Sequence, residues 1–139
     1  MPKYMNEESE YFCYSATLRI FSEEGLNFEE IEKSLELSAS KSHRKGEKRT
    51  PISKEYQHDM WQLTSGLSED AHLQEHLFKL WEKLKPHKEF LLRLRQRATV
   101  DIFCGYRSNC DHAGIEVDHK ALEIFRELEI DFGLSIIVV

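Results

Sequence analysis

Residues 71–84 read AHLQEHLFKLWEKL, and the prediction of the fold starts from this stretch. Its apolar side chains recur at the spacing of one face of an α-helix; they are Leu73, Leu77, Leu80, Trp81 and Leu84. The run Ser-Glu-Asp before it can cap the helix, and Pro86 disfavours its continuation. Because so wide an apolar stripe must pack against another layer, we expect strands to receive it.

Alternating apolar residues predict those strands. Residues 11–21 form the clearest one, with one face made of Phe12, Tyr14, Ala16, Leu18 and Ile20. We predict further strands near residues 38–44, 57–65, 99–106 and 134–139, and further helices near residues 28–36, after Pro86, and from Asp118 to Leu128. The last strand, LSIIVV, is apolar on both faces, which is typical of a strand inside a sheet or covered by a partner.

The order of these elements is β-α-β-β-α-β followed by α-β. It predicts an α+β fold with a mostly antiparallel sheet, ferredoxin-like in its first six elements, with an added αβ unit and the helices on one face. A chain of 139 residues fits a single domain, residues 1–139. We expect residues 1–9 to be a loose arm and residues 45–55 an exposed basic loop.

Composition indicates an ordinary globular chain rather than a disordered one, since 40% of residues are apolar and 32% are charged. No apolar run approaches the ~20 residues of a membrane span, so no membrane association is expected. The first ten residues lack the apolar core of a signal peptide. The three cysteines have no framework spacing, which favours free thiols in a reducing compartment. These features together predict a cytoplasmic protein.

The order of short motifs along the chain is also informative. A predicted helix ends at LEL, and residues 42–46 then read S-x-x-K-G. Further on, a tryptophan precedes L-T-S, and the long helix ends in L-x-P. The residues that carry these motifs are Ser42, Arg44, Lys45, Gly46, Trp61, Leu84 and Pro86. This order resembles a bacterial family known only as a domain of unknown function, family 4279. The resemblance implies no established activity, catalytic residue or cofactor. By analogy, small bacterial domains of this type near toxin genes resemble immunity proteins.

Residues 41–49, KSHRKGEKR, carry the most conspicuous charge pattern. They hold five Lys or Arg and one Glu, which gives this segment a net charge of +4. Because the net charge of the whole chain is −6, the remaining residues together carry a net charge of −10. Such a segment can neutralise phosphates or an acidic protein surface. The candidate binding residues are Lys41, His43, Arg44, Lys45, Lys48 and Arg49, together with Trp61. The alternative is a solvated edge strand whose charges prevent aggregation, with Trp61 in the core.

Motifs for catalysis or metal binding are weak. Neither G-x-S-x-G nor a Walker loop is present. The spacing of Cys104, Cys110 and His112 departs from that of zinc ligands, and Asp118 is better used as a helix cap. We therefore predict no catalytic residue, no metal and no cofactor. The histidines at 58, 72, 76 and 87 fall on polar faces and are expected to face solvent.

The sequence favours a non-enzymatic domain that binds another protein, in its narrower form an immunity-type inhibitor of a toxin. The alternative is a nucleic-acid or anion binder that uses residues 41–49. An uncharacterised enzyme with a site in residues 104–119 is a third class. The apolar last strand and the semi-apolar outer face of the first strand also suggest a homodimer.

Overall fold

The computed structural model describes residues 9–139. In chain order its elements are β1 (Phe12–Ser22), α1 (Phe28–Leu35), β2 (Lys41–His43), β3 (Asp59–Thr64), α2 (Leu73–Leu84), α3 (Lys88–Leu94), β4 (Thr99–Ser108), α4 (Glu123–Leu128) and β5 (Leu134–Val138). Short 3₁₀ turns, Lys85–His87 and His119–Leu122, precede α3 and α4. Apart from Ser9, the arm predicted over residues 1–9 lies outside the described residues. Within residues 9–139, no helix combines the length and apolar character needed to cross a membrane.

The strands form one five-stranded sheet in the order β2-β3-β1-β4-β5. β1 pairs antiparallel with both β3 and β4, and β2 pairs antiparallel with β3. Only the pair formed by β4 and β5 is parallel in this sheet. A parallel pair needs a crossover connection, which α4 and its preceding turn supply. The α+β class and the mostly antiparallel sheet are therefore confirmed.

The helix over residues 73–84 is the centre of the core, as its apolar stripe predicts. Its four leucines are fully buried and Trp81 is 7% exposed. They pack in a single cluster with Ala16, Leu18 and Ile20 of β1. The buried residues of α1, α3 and α4 belong to the same cluster, so these helices cover the face of the sheet that carries the even-numbered side chains of β1.

Local capping signals set the helix boundaries. The side chain of Asn27 accepts the N–H of Glu30 at 3.1 Å, and Asp118 accepts the N–H of Lys120 at 2.8 Å. Pro86 lies in the 3₁₀ turn that follows α2. The helix α2 differs from expectation at its start. It begins after His72, whose N–H donates to the Glu75 carboxylate at 3.2 Å, rather than from a cap in residues 68–70.

β5 lies at the edge of the sheet. Of the two positions predicted for it, inside the sheet or covered by a partner, the first is therefore wrong and the second stays a prediction. The prediction that His76 faces solvent is wrong as well. His76 is 2% exposed rather than solvent-facing. It lies on the buried stripe of α2, and its Nδ1 is 2.6 Å from the hydroxyl of Ser65, which is also buried. The Ser65 hydroxyl provides a polar partner for one ring nitrogen of His76, whereas Nε2 is buried with no hydrogen-bond partner within residues 9–139.

Candidate functional site

The odd-numbered side chains of β1 point away from the helices. We call this side of the sheet the open face; on β1 it consists of Cys13, Ser15, Thr17, Arg19 and Phe21. All five are half-buried, although the helices pack on the opposite side. On the neighbouring strands the register places Gln62, Asp101 and Phe103 on the same side. The semi-apolar outer face of the first strand is thus continuous with the same side of β3 and β4.

An ion pair stands in the middle of the open face. Arg19 donates from Nε to Asp101 Oδ1 at 2.8 Å and from Nη2 to Oδ2 at 2.7 Å. The hydrogen bond from Arg19 to Asp101 raises the pKa of Arg19, and burial opposes this effect. Both side chains keep about a third of their surface exposed, 32% and 30%. The bidentate geometry fixes the guanidinium in one orientation.

Two phenyl rings flank this guanidinium. The Cζ of Arg19 lies 5.3 Å from the centroid of Phe103 and 5.9 Å from that of Phe21. Phe103 is 39% exposed, and Ile137 of β5 is 52% exposed beyond it. The centre of the open face therefore combines a fixed ion pair with exposed apolar side chains, and arginine and aromatic residues are among those enriched in protein interfaces.

A shallow depression lies next to Phe103. Its volume is about 190 Å³, and Ser15, Gly105 and Ile137 are among the residues that line it. A Cβ on Gly105 would meet the Ser15 hydroxyl oxygen at 2.7 Å and the Phe103 ring at 3.3 Å. The absence of a side chain at Gly105 thus lets the Phe103 ring lie close to the strand. This depression is too open to enclose a small molecule, but it can receive a side chain.

The opposite end of the open face carries an aromatic stack. The rings of His43 and Tyr56 are parallel, with centroids 3.5 Å apart, and His58 lies between His43 and Phe21 at 5.9 Å and 5.1 Å. Both ring nitrogens of His43 are buried and have no hydrogen-bond partner in the described part of the chain. Burial, followed by the charge of His58, lowers the pKa of His43. His43 therefore offers a neutral ring rather than a cation.

Arg44 is held by the fold. Its Nη1 donates to the Leu26 carbonyl at 2.7 Å and to Asp59 Oδ2 at 2.8 Å, and its Cζ lies 3.8 Å from the centroid of Phe28. Burial by itself would raise the pKa of Asp59. Hydrogen bonds from the N–H groups of Lys45 and Leu26 and from Arg44 outweigh that effect and lower it. About half of the Arg44 side chain stays exposed, 48%.

The other cations of the basic segment project from its surface. They are Lys41, Lys45, Lys48 and Arg49, all exposed and none in an ion pair within residues 9–139. The loop that carries three of them is ordered by backbone hydrogen bonds from Gly46 to Tyr56 and from Tyr56 to Glu47. Lys41 pairs with Gln62, which in turn pairs with Arg19, so it stands at the edge of the open face.

Trp61 does not belong to this surface. It is fully buried, and its Nε1 donates to Glu32 Oε2 at 3.1 Å. Trp61 is therefore a core residue, and the prediction that it belongs to the binding residues is wrong. No part of the indole reaches a position where a partner could touch it.

Two of the chemical groups singled out between Cys104 and His119 are used in the core and in capping. Cys104 is 1% exposed, and burial raises the pKa of its thiol to about 12. Asp118 caps the turn before α4 through its carboxylate. Among residues 9–139 no group of three or more His, Cys, Asp or Glu side chains is close enough to hold a metal ion.

Sequence reasoning singled out the basic segment and missed the centre of the open face. Arg19 and Asp101 are 82 positions apart, so their contact appears only when β1 and β4 are paired in the correct register. One signal was present in the sequence. The outer face of the first strand is less polar than a solvated face, and Arg19 is its only charged residue.

Comparison with known proteins gives one match. A family model described as Domain of unknown function (DUF4279) matches residues 10–139, which is nearly the whole chain. No curated protein and no solved structure matches the chain.

Proposed function

The chain belongs to the DUF4279 family of domains of unknown function, and we propose that it acts as a non-enzymatic protein-binding domain in the bacterial cytoplasm. The open face of the sheet is the proposed binding surface. The observation that carries this proposal is the fixed ion pair of Arg19 and Asp101 beside the exposed ring of Phe103. A few residues dominate the binding energy of most protein interfaces, and arginine is one of the residue types enriched among them.

The chemistry of the open face supports recognition rather than catalysis. Arg19 and Asp101 satisfy each other through two hydrogen bonds, so neither is left to transfer a proton to a substrate. The depression beside Phe103 is open and lined partly by Ser15 and Gly105, so it fits an apolar side chain of a partner. The ordered strands beneath hold these groups in place before binding, which reduces the entropy cost of association.

The narrower proposal is an immunity-type inhibitor whose partner is a basic toxin. Outside the basic segment the chain carries −10, and this charge would attract a cationic protein over a distance. The contact itself would be made by the centre of the open face, where Phe103 lies beside the ion pair of Arg19 and Asp101. Association with such a partner would therefore slow as salt is added, while the dissociation rate would depend mainly on Phe103 and Arg19.

The test begins with the genes adjacent to the gene for this chain and uses the purified product of any that encodes a toxin-like protein; the absence of such a gene would count against the narrower proposal. The purified pair is titrated by calorimetry with the wild-type chain, Phe103→Asp, Arg19→Ala and the control Ile52→Asp. Ile52 is 96% exposed in the loop away from β4, so its variant adds the same charge elsewhere. We expect the two open-face variants to weaken binding by roughly tenfold or more, which is about 1.4 kcal/mol, and the control to bind as the wild type does.

Unchanged affinity in both open-face variants would show that the partner binds elsewhere. If the neighbouring product does not bind the wild-type chain at all, the immunity-type proposal is wrong. Circular dichroism of each variant confirms that any loss comes from binding rather than from unfolding.

A second candidate function is nucleic-acid or anion binding through residues 41–49. The exposed side chains of Lys41, Lys45, Lys48 and Arg49 favour it. The variant that replaces these four with alanine leaves Arg44 intact, because Arg44 holds Asp59. Binding to single-stranded RNA and DNA should fall steeply with salt and disappear in this variant. Equal binding by variant and wild type would remove this candidate.

The arrangement of strands supports a more specific fold proposal. The order β2-β3-β1-β4, with antiparallel neighbours throughout, is compatible with a ferredoxin-like unit to which α4 and β5 are added. An experimental structure that places β2 next to β1 would contradict this assignment.

A further inference from the structure

The edge strand β5 has an unusual composition for an exposed edge. Residues 132–139, FGLSIIVV, contain no charged side chain, in a chain where 32% of residues are charged. Ile136, Ile137 and Val138 are 61%, 52% and 51% exposed. Natural proteins usually protect an edge strand with charges, proline or a bulge, because its free backbone groups can pair with another chain. β5 has no charged or proline residue to protect it.

The backbone N–H and C=O groups of β5 point alternately toward β4 and away from the sheet. The N–H of Val139 donates to the Ser108 carbonyl at 3.0 Å, so residue 139 points its polar groups toward β4. Successive residues of a strand alternate in this respect, and therefore Ser135 and Ile137 also face β4. Leu134, Ile136 and Val138 consequently direct their N–H and C=O groups outward, where the described sheet provides no further strand.

We propose that β5 pairs antiparallel with β5 of a second copy of this chain around a two-fold axis. The axis passes beside Ile136, which lies opposite its own counterpart, while Leu134 lies opposite Val138 of the other copy. All three outward-facing residues then form hydrogen-bonded pairs. The two sheets, each of five strands, join into one continuous sheet.

The side chains suit a second copy better than a different protein. In this register Leu134, Ile136 and Val138 of both copies meet on the helix side, so apolar side chains face only apolar side chains. On the open face Ile137 lies opposite Ser135 of the other copy. A two-fold axis makes one sequence satisfy both halves of the interface. A charged partner would gain nothing from a strand that carries no charge.

Charge outside β5 gives the dimer a distinctive salt dependence. Each copy has a net charge of −6, so two copies repel each other at long range while the uncharged strands attract. Added salt should therefore strengthen the dimer. A strand from a basic protein bound at the same edge would be weakened by salt instead. One pair of short strands buries less than the ~800 Å² per partner of a standard interface, so dissociation in the micromolar range is expected.

Analytical ultracentrifugation of the full chain over micromolar to several hundred micromolar concentrations is the first test. We expect the wild type to dimerise, and Ile136→Lys to raise the dissociation constant by roughly tenfold or more. Ile52→Lys is the matched control, because it places the same new charge at a residue that is 96% exposed and distant in the chain. The control should dimerise as the wild type does.

Disulfide crosslinking tests the register without a disruptive charge. In a chain with Cys13→Ser and Cys110→Ser, Ile136→Cys places two thiols opposite each other at a Cα separation of about 5.5 Å, which a disulfide can bridge. Ile137→Cys instead lies diagonal to its own counterpart at about 7–8 Å. We expect a rapid, concentration-dependent crosslink with Ile136→Cys and a much slower one with Ile137→Cys.

Three outcomes would overturn the proposal. They are a wild-type chain that stays monomeric at several hundred micromolar, a dimer that persists unchanged in folded Ile136→Lys, or crosslinking at position 136 no faster than at position 137. The outcome can be told apart from that of the proposed function, because the side chain of Ile136 lies on the helix side of the sheet, whereas Phe103 lies on the open face.

Discussion

The Nη1 of Arg44 donates a hydrogen bond to Oδ2 of Asp59 at 2.8 Å, which joins the exposed basic segment to the buried start of β3. Asp59 is 6% exposed and also accepts the N–H groups of Leu26 and Lys45. One carboxylate thus fastens the turn before α1, the end of β2 and the beginning of the basic loop. Part of the basic segment, residues 41–49, therefore stabilises the fold, because Arg44 is bound to Asp59.

Replacing Asp59 should therefore destabilise the fold rather than only loosen the loop. In Asp59→Ala the N–H groups of Leu26 and Lys45 lose their acceptor, and we expect the free energy of unfolding to fall by about 2–4 kcal/mol. Urea denaturation measures this loss. Asp70→Ala is the control, since Asp70 is exposed and should change stability by less than ~0.5 kcal/mol. A similar small change in both variants would contradict the role given to Asp59.

The imidazole of His43 should make stability depend on pH. Its pKa in the folded chain lies below the ordinary 6.5, chiefly because the ring is buried. The unfolded chain therefore binds more protons in this range. Neutral His43 therefore contributes to the free energy of unfolding above pH 6.5. This contribution is lost as pH falls from 6.5 toward the lower pKa of the folded chain.

His43→Phe provides the test of that dependence. Phenylalanine can keep the stack on Tyr56, and it removes two buried nitrogens that have no hydrogen-bond partner in the described chain. We expect the variant to be at least as stable at neutral pH and to lose less stability on acidification than the wild type. Urea melts between about pH 7 and 5 compare them. His112→Phe, at an exposed position, should leave the wild-type slope unchanged; an equally steep slope in His43→Phe would refute the assignment.

Trp61 should contribute to stability as a core residue. Its side chain is fully buried in the cluster that also contains Leu35 and Leu63. Trp61→Ala should lower the free energy of unfolding by about 3–5 kcal/mol. Trp61→Phe removes the hydrogen bond to Glu32 but keeps most of the packing, and should cost less. A loss below ~1 kcal/mol in Trp61→Ala would mean that the indole is exposed in solution.

Gly105 should be required for the shape of the open face. The added Cβ of Gly105→Ala would meet the Ser15 hydroxyl oxygen and the Phe103 ring, so we expect a destabilisation of about 1–3 kcal/mol. Because Ser15→Ala removes that oxygen, the double variant should recover part of the loss in a double-mutant cycle. Strict additivity of the two substitutions would show that the contact does not form.

Local pattern located the helices and strands of this protein, although not all of their bounds: β2 is shorter than the predicted strand over residues 38–44, and α2 begins after His72. The leucine spacing of residues 73–84 identified the central helix, the alternation in β1 identified the inward face, and Asp118 marked the start of the turn that leads into α4. In each case the deciding interactions join residues a few positions apart. Side-chain periodicity and helix capping depend on such short-range geometry. Helices and strands can therefore be recognised from the sequence without knowledge of the fold.

Only the tertiary structure showed which distant side chains contact each other and which strand lies at the edge of the sheet. Arg19 meets Asp101, Arg44 meets Asp59 and His76 meets Ser65 only after distant strands and helices are packed together. The apolar pattern of LSIIVV likewise did not tell an interior strand from the edge strand β5. Strand order is fixed by which elements bury the most surface together. That is a property of the whole chain, and no segment of the sequence contains it.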